Sequence, residues 1–334
     1  MNESLNFLKN FTFFTLFASM LSFWVEFIFL SPHQSQPQII SDVEENFTPK
    51  KVISFGESFF FISLLFLTLE LITRWFLSKH FPLSNLYESL LFLNWSLLTF
   101  FFFFEKFLKS QFLLKMEVEE NQSALRDSEN FFGAILSSFL LFLQSFADWQ
   151  LPDEMRIVRP LVPALQSNWL LMHVSIMIFS YATLFIGSLF SIVYLVLDTF
   201  KENDSKNEFL LKLNTTKAVL SGPNTLENVL KDLDTKSSQI LSLGFPLLTL
   251  GILSGAIWAN EAWGSYWSWD PKETWAFITW LVFAFYLHTR IQKGWKGKDS
   301  ALVATLGFFI IWICYLGVNL LAKGLHSYGW IING

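Results

Sequence analysis

Apolar residues along this 334-residue chain gather into long blocks and not into the short alternations of a soluble core. The blocks lie near 11–30, 57–77, 86–106, 131–148, 169–197, 239–258, 272–290 and 301–323. A bilayer core is crossed by about 20 helical residues rising about 1.5 Å each, so each block predicts one span. The fold class expected is all-α: a polytopic integral membrane protein of about eight transmembrane helices. The first and fourth blocks give the weakest signals, and 169–197 is long enough to tilt or protrude. Polar segments connect the blocks at 31–56, 107–130 and 198–238. The last holds seven acids and six lysines and shows no apolar face, which predicts a polar loop. The organisation read from this pattern is an N-terminal span and loop over 1–56, then a membrane domain over 57–334 with a Trp-rich segment at 259–275.

Composition agrees. Apolar residues make up 52% of the chain and charged ones 15%, against about 25% charged in a soluble domain. No cleavable signal peptide is read, since no small-residue cleavage site follows the first apolar run. Eight spans place both termini on one side, together with 78–85, 149–168 and the Trp-rich segment. Lys and Arg divide 16 to 7 in favour of the opposite side, which makes that side cytoplasmic or stromal and the Trp-rich side periplasmic or lumenal. The forty Phe suit an AT-rich coding genome such as a plastid's. Cys314 stands alone in an apolar block, so neither an internal disulfide nor a Cys-x-x-Cys redox pair is available. Cys-x-x-Cys-His is also missing, so the chain is not itself a c-type cytochrome. No nucleic-acid partner is expected.

Six of the fourteen Trp fall within residues 258–280: Trp258, Trp263, Trp267, Trp269, Trp275 and Trp280. An interfacial belt needs fewer. With Gly264, Tyr266, Asp270, Pro271 and Lys272 among them, they suggest an aromatic platform with polar pegs, suited to a large planar ligand. Asp270-Pro271-Lys272-Glu273 is also a helix start, with a capping Asp, Pro in the first turn and Glu three residues on. His173 lies about one turn into the fifth block, and His326 follows the last block on the same side. Two imidazoles suit the axial positions of haem iron, indole and phenol rings stack on a porphyrin, and Lys272 meets a propionate. A hydrogen-bonded interfacial anchor is the plain alternative for either histidine. His288 lies 17 residues beyond Pro271, about 26 Å along a straight helix, so it cannot share an iron with that pair. It is a functional candidate by its depth. Arg290 beside it holds a carboxylate or marks the membrane edge. His33 and His80 read as solvated.

At these residues the chain resembles the CcsA family, the haem-handling subunits of system II cytochrome c synthases. The match is Trp263-Gly264-Ser265-Tyr266-Trp267-Ser268-Trp269-Asp270-Pro271-Lys272-Glu273-Thr274-Trp275, with Phe81–Leu90, Leu161–Trp169 and Gly324–Gly329 in support. The resemblance implies haem b as ligand and substrate, with His173 and His326 as the external iron ligands. It implies that His288 holds haem earlier on its route and that Trp263, Tyr266, Trp267, Trp269, Asp270, Lys272 and Trp275 line the external site. It also implies covalent attachment of haem to Cys-x-x-Cys-His of apocytochromes c, a separate Ccs-type membrane partner subunit, thiol-reducing proteins, and residence in the thylakoid or a bacterial inner membrane. The rival readings are a haem transporter without ligase activity, a membrane b-type cytochrome or quinone oxidoreductase subunit, and a structural scaffold.

Overall fold

The computed structural model describes residues 2–29, 54–113, 122–158, 167–204 and 223–321, all of them helical or in short connections. The long helices are α1 (Asn2–Phe29), α2 (Phe55–Ser78), α3 (Leu86–Leu113) and α4 (Gln122–Ser145). After the short α5 (Asp153–Arg156) come α6 (Asn168–Asp204), α7 (Pro223–Trp263), α8 (Pro271–Gln292) and α9 (Lys298–Trp312). A final turn, α10 (Val318–Leu321), ends the described chain. Local chemistry sets the boundaries. Ser54 caps α2 by accepting from the Glu57 N–H at 2.9 Å, and left-handed Lys79 (φ 60°) closes it. Two π-turns interrupt helices, at Phe146–Gln150 after α4 and Ile313–Gly317 between α9 and α10.

Seven of these helices are long and apolar enough to cross a membrane. The eighth span is α8, whose 22 residues have the length while its tryptophans, Tyr286, His288 and Arg290 lower its hydropathy. The protein is a multi-pass membrane protein, as expected. Two connections differ from the sequence reading. Residues 107–113 and 122–130 continue α3 and α4. Residues 198–204 and 223–238 continue α6 and α7, and α7 buries Val229, Leu230 and Leu233. Leu230, Leu233, Ser237 and Leu241 recur at helical spacing, so the apolar stripe of the span runs back into the polar segment. Lysines and acids on the other face hide it in a residue-by-residue reading.

The antiparallel pair α6 and α7 forms the largest helix contact. His173 of α6 lies against Gly251 and Gly255 of α7, Met177 against Gly251, Ser180 and Leu184 against Gly244, Gly187 against Leu241 and Ser191 against Ser237, so the contacts on α6 step by four and three residues. Small residues bring the backbones together. Ser180 Oγ donates to Gly244 O at 3.0 Å, Ser237 Oγ donates to Gly187 O at 2.9 Å, and Ser191 bonds Ser237 at 2.7 Å. A Cβ at Gly187 would lie 2.7 Å from the Leu241 side chain. The helices α1, α2 and α4 pack on the same principle. The Phe23 ring sits between Gly56 and Gly133, where an added Cβ would come within 2.7 and 2.6 Å of it. Gly187→Val is therefore expected to cost about 1–3 kcal/mol by overpacking. Thermal unfolding in detergent reads the loss, and Leu241→Ala in the same chain should recover part of it; full stability of Gly187→Val would refute the close approach.

Candidate functional site

The Trp-rich segment is divided between two helix ends and a seven-residue turn. Trp258 and Trp263 belong to α7 and meet edge to face at 4.8 Å. The helix closes with Gly264 at φ +74°, its N–H donating to Asn260 O at 2.9 Å. Trp275 and Trp280 belong to α8. Between them, Trp269 adopts φ +58°, a left-handed conformation that is rare for a bulky side chain and costs energy unless its surroundings impose it.

Glu273 imposes it. Its carboxylate accepts from the Ser268 N–H at 2.8 Å, the Ser268 hydroxyl at 3.2 Å and the Asp270 N–H at 3.3 Å. Asp270 in turn accepts from the Lys272 N–H at 2.9 Å, completing the capping box read in the sequence. The turn is thus folded back onto the start of α8, with Trp267 set edge-on to Trp269 at 5.9 Å. Tyr266 and Trp269 project outward, 61% and 68% exposed. Large rings held open by a tight polar turn make a preformed stacking surface.

His173 is held in the α6–α7 seam. Its Nδ1 lies 2.7 Å from the Gly251 carbonyl, and a Cβ at Gly255 would come within 2.6 Å of the ring. A carbonyl only accepts, so Nδ1 carries the proton and Nε2 the lone pair. That is the tautomer in which imidazole binds iron, and the backbone carbonyl is a common orienting partner.

Two contacts bring this seam and the turn to one end of the bundle. Ser167, at the start of α6, donates to Glu261 near the end of α7 at 3.3 Å. Lys272 Nζ donates to Asn319 Oδ1 at 2.8 Å, joining the start of α8 to α10. Lys272 therefore already has one partner within the chain, and an ammonium has two more hydrogens to give. His326 lies outside the described residues, as do His33, Leu161–Gln166 and Gly324–Gly329; α10 ends at Leu321, five residues before His326. His288 lies exposed near the opposite end of α8, below Phe285 and Leu281 on the outward stripe. Arg290 does hold a carboxylate, the chain's own: it grips Asp234 through two 2.8 Å bonds, with Ser300 and the Gly297 N–H also on Asp234.

Other residues singled out in the sequence take these places. Trp258 is buried, and the Trp280 indole donates to Thr249 at 3.0 Å, joining α8 to α7. His80 is half-buried, its Nδ1 on Phe81 O at 2.9 Å, and not fully solvated. Cys314 is buried against Tyr181, 3.4 Å from its hydroxyl, as a core residue would be. Sequence reading passed over Gly251, Gly255, Glu261 and Asn319. Small residues opposite a histidine in a four-three repeat were the available signal for the first two.

Residues 83–326 match the family described as Cytochrome C assembly protein. The chain belongs to that family. The matched stretch contains His173, the whole Trp-rich turn, His288 and, at its last position, His326. Among similar relatives, the cytochrome c biogenesis protein CcsA of Guillardia theta is 46% identical over 327 residues, covering 98% of this chain and 97% of its own. The protein of that name from Marchantia polymorpha is 45% identical, covering 96% of each chain. The one from Cyanophora paradoxa is 49% identical over 83% of this chain and 88% of its own.

Two outcomes are expected of this cytochrome c assembly protein. Glu273→Ala removes the acceptor that folds the turn, at about 1 kcal/mol or more, or roughly a fivefold rise in the opened population. Chymotryptic cleavage between Gly264 and Asp270 measures this, and wild-type resistance would sink the assignment. Asp234→Ala leaves a half-buried guanidinium unpaired, at about 2–3 kcal/mol, below the roughly 3–5 of a fully buried pair. A matching fall in thermal stability is expected, and no change would show the clamp to be idle.

Proposed function

We propose that this protein acts in cytochrome c biogenesis by holding haem b at the His173 end of the bundle for covalent attachment to apocytochrome c. The observation that carries the reading is the setting of His173: its ring is fixed by Gly251 O through Nδ1, the orienting partner typical of an iron-binding imidazole, at the bundle end that also carries the Trp-rich turn. His326 supplies the second axial imidazole. Tyr266, Trp267 and Trp269 stack on the porphyrin, with Trp263 and Trp275 backing them. Lys272 receives a propionate carboxylate, and Asp270 acts by fixing where the turn ends. The reaction joins each vinyl group of haem to one thiol of Cys-x-x-Cys-His as a thioether.

The chain's residues contribute position. A rigid imidazole and a preformed aromatic wall hold the substrate with one edge exposed, which turns an encounter of three groups into an ordered one. The acceptor's own histidine then takes over an axial position. The thiols arrive reduced by separate thiol-reducing proteins, since Cys314 is buried and alone. His288 serves an earlier station of the haem. Its exposed position on α8 suits completion by a separate membrane subunit, the Ccs-type partner. Relatives from Guillardia, Cyanophora and Marchantia support a plastid setting, where we place the protein in the thylakoid membrane with the Trp-rich turn toward the lumen.

The test is product formation. The purified synthase complex is mixed with haem, reductant and a Cys-x-x-Cys-His peptide, and the thioether product is detected by mass and by its pyridine haemochrome spectrum. The wild type is expected to give product, and the His173→Ala/His326→Ala variant to lose both the product and the haem spectrum of this end. Retention of both by the variant would remove the ligand assignment. Haem transfer across vesicles with no thioether in the wild type would favour a transporter.

A further inference from the structure

A second polar centre lies within α1–α4 and plays no part in the haem reading. Glu70 of α2 and Tyr87 of α3 are fully buried, and Asp148 in the π-turn after α4 is 2% exposed. The Tyr87 hydroxyl lies 3.3 Å from Asp148 Oδ1 and 3.4 Å from Glu70 Oε1. It has one proton and donates to one of them. The other contact becomes a hydrogen bond only when a carboxyl itself carries a proton and donates to the Tyr87 oxygen.

The surrounding groups serve the carboxyls unequally. Glu70, Glu88 and Asp148 share Arg74 and Lys9, and the charge of Arg156 also acts on Asp148. Arg74 reaches Glu70 at 3.4 Å and Glu88 at 3.9 Å, and Lys9 of α1 reaches Asp148 at 3.9 Å. Arg156 of α5 also pairs with exposed Asp153 at 3.1 Å. Glu88 accepts from the Ser84 N–H and hydroxyl at 2.9 and 2.7 Å, and Asp148 accepts from Gln144 at 3.0 Å. Glu70 is the carboxyl left short: its Oε2 is buried with no hydrogen-bond partner. A buried carboxylate oxygen without a donor is costly, and a neutral carboxyl removes the charge. The proton therefore belongs on Glu70.

We propose that Glu70, Tyr87 and Asp148 form a proton-exchange site. Glu70 stores one proton inside the bundle, and Tyr87 passes it to and from Asp148. In the outward step the Glu70 O–H bond breaks as its proton joins the Tyr87 oxygen, while Tyr87 gives its own proton to Asp148. One proton moves and nothing is oxidised or reduced. Asp148 lines a cleft of about 250 Å³ together with Lys9, Asn10, Phe13, Phe14 and Trp149, and we take the Lys9 and Asn10 side of it as the way to water. The π-turn that presents it is a helix defect of the kind found at functional sites. Ionisable groups placed inside a membrane bundle and connected in a chain are characteristic of proton relays.

Infrared spectroscopy of the full-length protein in lipid nanodiscs tests the proposal. At neutral pH the wild type is expected to show the carbonyl stretch of a protonated carboxyl, and Glu70→Gln to lack it. After transfer to deuterated buffer the band should shift quickly in the wild type. It should shift about a hundredfold more slowly in Tyr87→Phe and Asp148→Asn, the lower end of what a positioned proton-transfer group contributes. Persistence of the band in Glu70→Gln, or its absence from the wild type, would overturn the storage site. Unchanged exchange in Tyr87→Phe would overturn the relay, and that variant keeps the ring's packing should Glu70→Gln fail to fold.

Discussion

The close approach of α6 to α7 is the constraint on which the candidate site depends. Along this seam each layer of one helix meets a small or apolar residue of the other, and His173 occupies the last layer. Where other layers are filled by Leu184 or Leu241, two glycines on α7 open a slot for an imidazole. Without Gly255 the ring would be displaced, and without the exposed carbonyl of Gly251 its tautomer would be unset. The side chain is thus oriented by the same packing that holds the two longest helices together. Its rigidity comes from the scaffold and needs no dedicated support.

The Trp-rich turn is built by a different economy. Its shape comes from the beginning of α8. One carboxylate gathers three donors, and a left-handed Trp269 results. Helix capping and presentation of the aromatic rings are therefore one act. Asp270 and Glu273 have divided the labour: the aspartate satisfies the helix, and the glutamate shapes what precedes it.

Much of this was legible in the sequence. The eight spans were readable because a bilayer demands long apolar runs, and the cap at Asp270 because capping is local chemistry. The helical continuation of α7 into 223–238 was not, since its buried stripe of Val229, Leu230 and Leu233 is set among lysines and acids. The inward contacts of Trp258 and Trp280 were not legible either, because hydropathy places a residue at a depth but not on a face. The Arg290–Asp234 grip spans 56 residues, and no spacing rule connects such positions. The Glu70–Tyr87–Asp148 centre stayed hidden for the same reason. Its members sit on three elements, and nothing in one segment points to the other two.

The π-turn at Ile313–Gly317 has a further consequence. An extra residue in a helical turn rotates everything after it by about 100° relative to what came before. The last span therefore carries two faces out of phase: Ile310 and Ile311 are placed by the first, and Asn319, which receives Lys272, by the second. The reading frame of the bundle is reset there. A one-residue deletion inside the turn would leave the length and greasiness of the span almost untouched, yet would swing Asn319 away from Lys272. Insertions and deletions at this point act on alignment of the site, not on membrane insertion.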